Sequence, residues 1–142
     1  MSRTFRIGSW AWIATGVGHL AIMGVMALRD PDPAGERAAA ASKAVTFALG
    51  GVQRTLYEVD LGINFVMSAA LVFGGLACLV VAKAGPVPRA LAGLGFATSL
   101  VLLAVAAALL PSPPIVLFAV AALAFGYASL QPGRRTPSRL QA

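Results

Sequence analysis

The chain has 142 residues, of which 58% are hydrophobic and 11% charged, with a formal net charge of +6 and a mean hydropathy of +0.82. A soluble domain carries about 25% charged residues, and a globule this small has too little interior to hide so much apolar surface, so an ordinary soluble domain is excluded. The basic residues flank apolar segments instead of gathering on one module, which argues against a nucleic-acid-binding protein.

Four apolar segments approach or reach the length that a helix needs to cross roughly 30 Å of hydrocarbon. They cover residues 7–28, 61–82, 90–110 and 114–130, and a longer second helix would begin near Val52. Pro86 and Pro88 separate the second segment from the third, and the run PSPP at residues 111–114 predicts a tight turn before the fourth. The first segment has 22 uncharged residues, longer than the core of a cleaved signal peptide, so we expect a retained span. The predicted fold class is all-α, with residues 1–142 forming one integral membrane four-helix bundle.

The connection at residues 29–56 is the one long segment between spans. Asp32-Pro33 predicts a helix start, with Asp as the N-cap and Pro at the first helical position. Gly50-Gly51 predicts the stop of the same helix. This extramembrane helix has two interpretations: an interfacial helix along a long connection, or a lid over the outer mouth of the bundle.

The distribution of charge predicts the orientation of the four spans. Both termini and the loop between spans two and three carry seven basic residues and no acid, namely Arg3, Arg6, Lys83, Arg89, Arg134, Arg135 and Arg139. The opposite side carries four basic residues and all five acids. The positive-inside rule then predicts a bacterial inner-membrane protein with both termini cytoplasmic, loop 29–56 outside and 131–142 as a basic, flexible cytoplasmic tail. Trp10 and Trp12 fit the inner interface.

His19, the single histidine, lies inside the first predicted span, roughly 13 Å below its outer end. Ionisable groups inside a membrane are costly and mark candidate functional sites. Thr15 and Met23 share its helical face at a spacing of four residues, and the small residues Gly16 and Gly18 would let another helix approach. The alternative is a neutral imidazole that hydrogen-bonds within a helix interface.

A polar stripe begins the second span. Its members are spaced to share one helical face, which we expect to turn toward the bundle interior: Gln53, Tyr57, Asp60, Asn64 and Ser68. With a helix starting at Leu61, Asn64 lies about 7 Å from His19 along the membrane normal and Asp60 about 13 Å, whereas a longer helix would close both gaps. Glu58 has Arg54 one turn back, which predicts a surface ion pair.

These side chains predict a candidate site without cofactor or metal. One histidine excludes bis-histidine haem, and His19 with Asp60 falls short of a zinc site. We expect catalytic roles for His19, Asp60 and Asn64, and substrate contacts from Thr15, Met23, Tyr57 and Ser68. A facing donor and acceptor can move a proton within a lipophilic small molecule, which supports isomerisation, cyclisation or ring-opening. The alternatives are a non-catalytic subunit that binds a lipid or partner helix, and a small transporter.

The remaining spans carry few polar groups. Ala122 and Gly126 stand at a small-xxx-small spacing, which is typical of close helix packing and also of a homo-oligomer interface within the bilayer.

The segments TGVGHL (residues 15–20) and LGINF (residues 61–65) resemble small uncharacterised bacterial four-helix membrane proteins over about the first 80 residues. By architecture alone, the chain is similar to a reduced relative of emopamil-binding-type isomerases or DoxX-like proteins. No motif aligns with either of these two groups, so the likeness implies a helical membrane fold and assigns no role to any individual residue.

Overall fold

The computed structural model describes residues 2–131, in which the chain is mostly helical and forms five helices and one two-stranded sheet. The elements in chain order are α1 (Ser2–Ala27), α2 (Pro33–Ala44), β1 (Thr46–Leu49), β2 (Val52–Thr55), α3 (Leu56–Ala84), α4 (Arg89–Leu109) and α5 (Ser112–Leu130). Within this described part, α1, α3, α4 and α5 are long and apolar enough to cross a membrane. Most of the predicted tail, with Arg134, Arg135 and Arg139, lies outside the described residues.

The breaks between the long helices follow the prolines. α3 ends at Ala84 and α4 begins at Arg89, on either side of Pro86 and Pro88. α4 ends at Leu109, and Pro111 is the N-cap of α5, so the PSPP run supplies both the turn and the first residues of the next helix. Proline suits the first turn of a helix because the amide hydrogens there have no partner within the helix.

The connection between α1 and α3 corrects the sequence prediction. α2 begins as expected, since Asp32 is its N-cap and its carboxylate accepts a 2.6 Å hydrogen bond from the Gly35 amide. The helix ends at Ala44, however, and the chain continues as an antiparallel hairpin in which Leu49 pairs with Val52. The predicted helix stop at Gly50-Gly51 is therefore wrong.

The two glycines form the hairpin turn. Gly50 and Gly51 have φ values of +57° and +82°, and a tight two-residue hairpin loop favours positive φ at both of its central positions. Val45, Thr46 and Phe47 are β-branched or aromatic, and such residues prefer extended backbone to helix. The fold of residues 45–55 is thus extended where an all-α chain was expected.

The chain divides into two compact units. Among the described residues, the first comprises residues 2–13 and 74–131, and Phe125 lies fully buried at its centre. The rings of Phe5 and Trp12 meet Phe125 edge to face, with centroid distances of 5.1 and 5.2 Å. Gly8 and Gly95 make room for this ring, since a Cβ atom on either would lie 2.8–2.9 Å from it. Both glycines are therefore needed for the packing of Phe125.

Trp12 was expected at the membrane interface, and the structure gives it a second role inside the first unit. Its indole Nε1 donates a 3.0 Å hydrogen bond to the buried Ser99 hydroxyl, which donates in turn to the Gly95 carbonyl oxygen at 2.7 Å. Trp10, by contrast, is 58% exposed. A satisfied hydrogen bond removes the penalty for burying these polar groups among apolar side chains.

The second unit comprises Ala14–Phe73 and contains the C-terminal half of α1, α2, the hairpin and the first part of α3. The amide of Leu56 donates a 2.9 Å hydrogen bond to the Val45 carbonyl oxygen, so the base of the hairpin is joined to the start of α3. α2 buries none of its residues. The ammonium of Lys43, in its last turn, lies 5.0 Å from the centroid of the Tyr57 ring, within the range of a cation–π contact.

Candidate functional site

The structure brings two of the predicted site residues into direct contact in the second unit. His19, on α1, and Asn64, on α3, are both half-buried, and the imidazole Nε2 lies 2.9 Å from the Asn64 side-chain oxygen Oδ1. A distance of 2.9 Å is a well-formed N–H···O hydrogen bond. The two side chains thus meet directly, without a bridging ligand between them.

A close approach of the two helices makes this contact reachable. A Cβ atom on Gly16 would lie 2.7 Å from the backbone oxygen of Ser68 and 2.8 Å from Cγ2 of Val72. Gly16 precedes His19 by three residues, and Ser68 follows Asn64 by four, so the contact lies one helical turn from the hydrogen bond. Gly18 plays no such part, because a Cβ there would meet nothing within 4 Å.

The hydrogen bonds of Asn64 fix the tautomer of His19. Its side-chain nitrogen Nδ2 donates at 2.8 Å to the backbone oxygen of Asp60, an atom that can only accept. The opposite end of the amide, Oδ1, must then face the imidazole, and Oδ1 is itself only an acceptor. Nε2 of His19 therefore carries a proton. In the neutral ring, Nδ1 is the basic nitrogen, and it has no hydrogen-bond partner among residues 2–131.

Ser68 continues the polar stripe below Asn64. Its side chain is fully buried, and its hydroxyl donates a 2.8 Å hydrogen bond to the backbone oxygen of Asn64. That bond satisfies the hydroxyl within α3, as serine and threonine in apolar helices commonly do. Thr15 is 7% exposed and lies one turn before His19, while Met23 is half-buried one turn after it.

The other predicted site residues contribute less directly. Asp60 offers its backbone oxygen to Asn64, but its side chain is exposed and makes no hydrogen bond with His19 within the described part of the chain. Tyr57 is 42% exposed and lies under Lys43. Gln53 belongs to β2, so it cannot share a helical face with the rest of the stripe. Hydrogen bonds therefore connect His19 to Asn64 and Asn64 to the Asp60 backbone oxygen, and the Asp60 carboxylate takes no part in them.

Glu58 has a capping role that the sequence analysis did not assign to it. Its carboxylate oxygen Oε2 accepts hydrogen bonds from the Thr55 amide at 2.8 Å and from the Thr55 hydroxyl at 3.1 Å. The Thr55 hydroxyl accepts in return from the Glu58 amide at 3.2 Å. This reciprocal pair is a capping box at the start of α3, and Arg54 attracts Glu58 electrostatically without forming a close salt bridge. The sequence signal was present in the spacing Thr-x-x-Glu of residues 55–58.

A groove that the sequence did not predict lies elsewhere on the second unit. It has a volume of about 500 Å³ and is open along one side, and none of the seven predicted site residues lines it. Its polar end carries Arg54 and Glu58, and the rest is apolar. As to metals, no cluster of three or more His, Cys, Asp or Glu side chains forms within residues 2–131.

Comparison of the chain with protein-family models, curated proteins and solved structures finds no match.

Proposed function

We propose that this chain is an integral protein of the bacterial inner membrane, with both termini in the cytoplasm. The proposal is supported by four helices of sufficient length and apolarity in the described part of the chain. It is also supported by the sequence, which carries seven of its 11 basic residues on one predicted side and all five of its acids on the other.

Reporter fusions test this orientation. Green fluorescent protein fused to the C-terminus is expected to fluoresce, because that end lies in the cytoplasm, and alkaline phosphatase inserted between Gly50 and Gly51 is expected to be active, because the hairpin lies outside. Green fluorescent protein inserted between Gly50 and Gly51 should not fluoresce, and alkaline phosphatase fused to the C-terminus should be inactive. The same fusions with the opposite activities would contradict the orientation, and a chain recovered in the soluble fraction would contradict the membrane location.

Within that membrane protein, we infer that His19 is the general base and acid for a lipophilic small molecule. The observation that carries this inference is the 2.9 Å bond from Nε2–H to Asn64 Oδ1, which orients the imidazole and leaves Nδ1 basic. A base held by a third group recurs in enzymes that activate a nucleophile or remove a proton. Asn64 suits this task because its oxygen accepts from Nε2–H whether the ring is neutral or cationic.

The proposed step needs no other reagent. Nδ1 takes a proton from a C–H or O–H group of the substrate, the electron pair of that bond shifts into the substrate, and the ring becomes an imidazolium. Nδ1 then returns the proton to a different substrate atom, which completes an isomerisation, a cyclisation or a ring-opening. Throughout, Nε2–H stays on Asn64, so no rearrangement of the protein accompanies the transfer.

One observation favours a second candidate, a binding protein that holds the lipophile without turning it over. The exposed Asp60 carboxylate is not hydrogen-bonded to His19, so the site has one titratable side chain where a paired acid and base would have two. In that case Nδ1 would serve as a fixed hydrogen-bond acceptor for a donor on the ligand.

Mass spectrometry of the protein purified from its membrane tests both candidates. Wild-type protein is expected to retain a lipophilic molecule, and His19→Ala and Asn64→Ala are expected to lose it about 10-fold, the effect of one hydrogen bond of about 1.4 kcal/mol. Ser129→Ala is the matched control, because it removes a helix hydroxyl that donates only to the Gly126 carbonyl oxygen. Equal retention by all four proteins would reject the site.

A further inference from the structure

The groove in the second unit lies on the side of α3 opposite the histidine site. Gly62 and Val66 are two residues before and after Asn64, which places them about 160° around the helix from it. The apolar lining consists of Val59, Gly62, Ile63, Val66 and Met67. Ile63 and Val66 are 62% and 70% exposed, so no other part of the described chain covers this face of α3.

Arg54 and Glu58 give this apolar groove one charged end, close to the hairpin. Arg54 makes one long hydrogen bond within the described chain, from Nη1 to the Gln53 carbonyl oxygen at 3.4 Å. Both Thr55 donors reach Oε2 of Glu58, which leaves Oε1 able to accept. Arg54 and Glu58 attract each other but make no hydrogen bond with each other within the described chain, so each can still meet an opposite charge on a ligand.

The polarity of the groove matches that of one kind of amphiphile. From Glu58 to Met67 the lining spans ten residues of α3, about 13.5 Å, and beyond Glu58 it carries no charge. A molecule with an anion and a cation at one end and a hydrocarbon chain at the other would place each part against its complement. Guanidinium groups bind phosphate oxygens strongly, and carboxylates bind ammonium groups.

We propose that this groove binds a phospholipid whose headgroup carries both a phosphodiester and a primary ammonium. The phosphodiester contacts Arg54, the ammonium contacts Oε1 of Glu58, and one acyl chain lies along Ile63, Val66 and Met67. The proposal rests on the proposed membrane location and is independent of the chemistry at His19.

Native mass spectrometry of the full-length chain tests this site after reconstitution into vesicles. The vesicles contain equal amounts of phosphatidylethanolamine, phosphatidylglycerol and phosphatidylcholine with the same acyl chains. Wild-type protein is expected to retain phosphatidylethanolamine in preference to the other two. Arg54→Gln is expected to lower retention of all three about 10-fold, because one charge-assisted hydrogen bond is lost. Glu58→Gln is expected to remove the preference over phosphatidylcholine while its amide oxygen keeps the capping box.

Two matched controls separate a specific site from general effects. Arg29→Gln removes an exposed arginine outside the groove and is expected to change nothing. Gly62→Leu fills the groove, since a Cβ there meets nothing within 4 Å, and should displace the lipid, whereas Gly24→Leu, equally open, should not. Equal retention of the three lipids, or retention unchanged in Arg54→Gln, would overturn the site. A chain that fails to float with the vesicles would overturn the membrane location and this site together.

Discussion

Replacement of His19 by alanine is expected to abolish turnover of the lipophile that the purified protein retains. General acid–base catalysis contributes roughly 10²–10⁴-fold to a rate, and in this chain the imidazole is the single histidine that could supply it. His19→Gln is the informative companion, because glutamine can still donate to Asn64 but cannot hold a proton at the position of Nδ1. Turnover that persists in both variants would reject His19 as the acid–base group.

The same pair of variants separates an enzyme from a binding protein. If the site only binds, wild-type protein retains the molecule and forms no product from it. His19→Ala then simply loses the molecule. If the site catalyses, product forms in wild type and disappears in both variants. Folding is checked independently by helical circular dichroism, which neither substitution should alter because His19 is half-buried at a helix surface.

Asn64→Ala should lower turnover by about 10–100-fold, the effect of losing a hydrogen bond to a group that becomes charged. A structural readout comes from nitrogen NMR of protein labelled with ¹⁵N-histidine, in which the single histidine gives one pair of ring resonances. Wild-type protein is expected to show the Nε2–H tautomer, and Asn64→Ala a mixture of tautomers. An Nδ1–H tautomer in wild type would contradict the assignment of the base.

Two independent patterns in the sequence point to the helix faces that carry this contact, although they do not predict the contact itself. The spacing of Asn64 and Ser68 predicts one inward face on α3, and the small residues before His19 predict a close approach on α1. What the sequence could not supply was the start of α3. That helix begins at Leu56, five residues before the predicted start at Leu61, so Asn64 lies about 7.5 Å further along the helix than the shorter segment implied. This difference accounts for the loss of the separation of about 7 Å that the shorter segment predicted between His19 and Asn64.

Asp60 illustrates a different limit of sequence reasoning. Helical periodicity places it on the same face as Asn64, but a residue offers its neighbours a backbone oxygen as well as a side chain. The structure uses the backbone oxygen, which no sequence pattern distinguishes from the carboxylate. The hairpin was missed for a different reason: a glycine pair can end a helix or form a turn, and the helix start predicted at Asp32-Pro33 favoured the first interpretation.

Gly16→Ala is expected to destabilise the protein and break the His19–Asn64 hydrogen bond. The added methyl would lie 2.7 Å from the Ser68 backbone oxygen and 2.8 Å from Val72 Cγ2. Backbone cannot rotate away as a flexible side chain can, so α1 and α3 must separate locally. Overpacking of this kind costs about 1–3 kcal/mol, more than the gain of about 1 kcal/mol in helix propensity on replacing glycine with alanine.

Gly18→Ala is the matched control, in the same helix and two residues away. Nothing lies within 4 Å of its Cβ position, so the propensity gain should stand alone and the variant should be as stable as wild type or more so. In detergent, the unfolding temperature is thus expected to fall for Gly16→Ala and to stay the same or rise for Gly18→Ala. The Nε2–H resonance of His19 should be perturbed only by Gly16→Ala. If Gly16→Ala instead raised the unfolding temperature and kept that resonance, the helices would not meet at Gly16, and the geometry that orients the imidazole would have to arise in some other way.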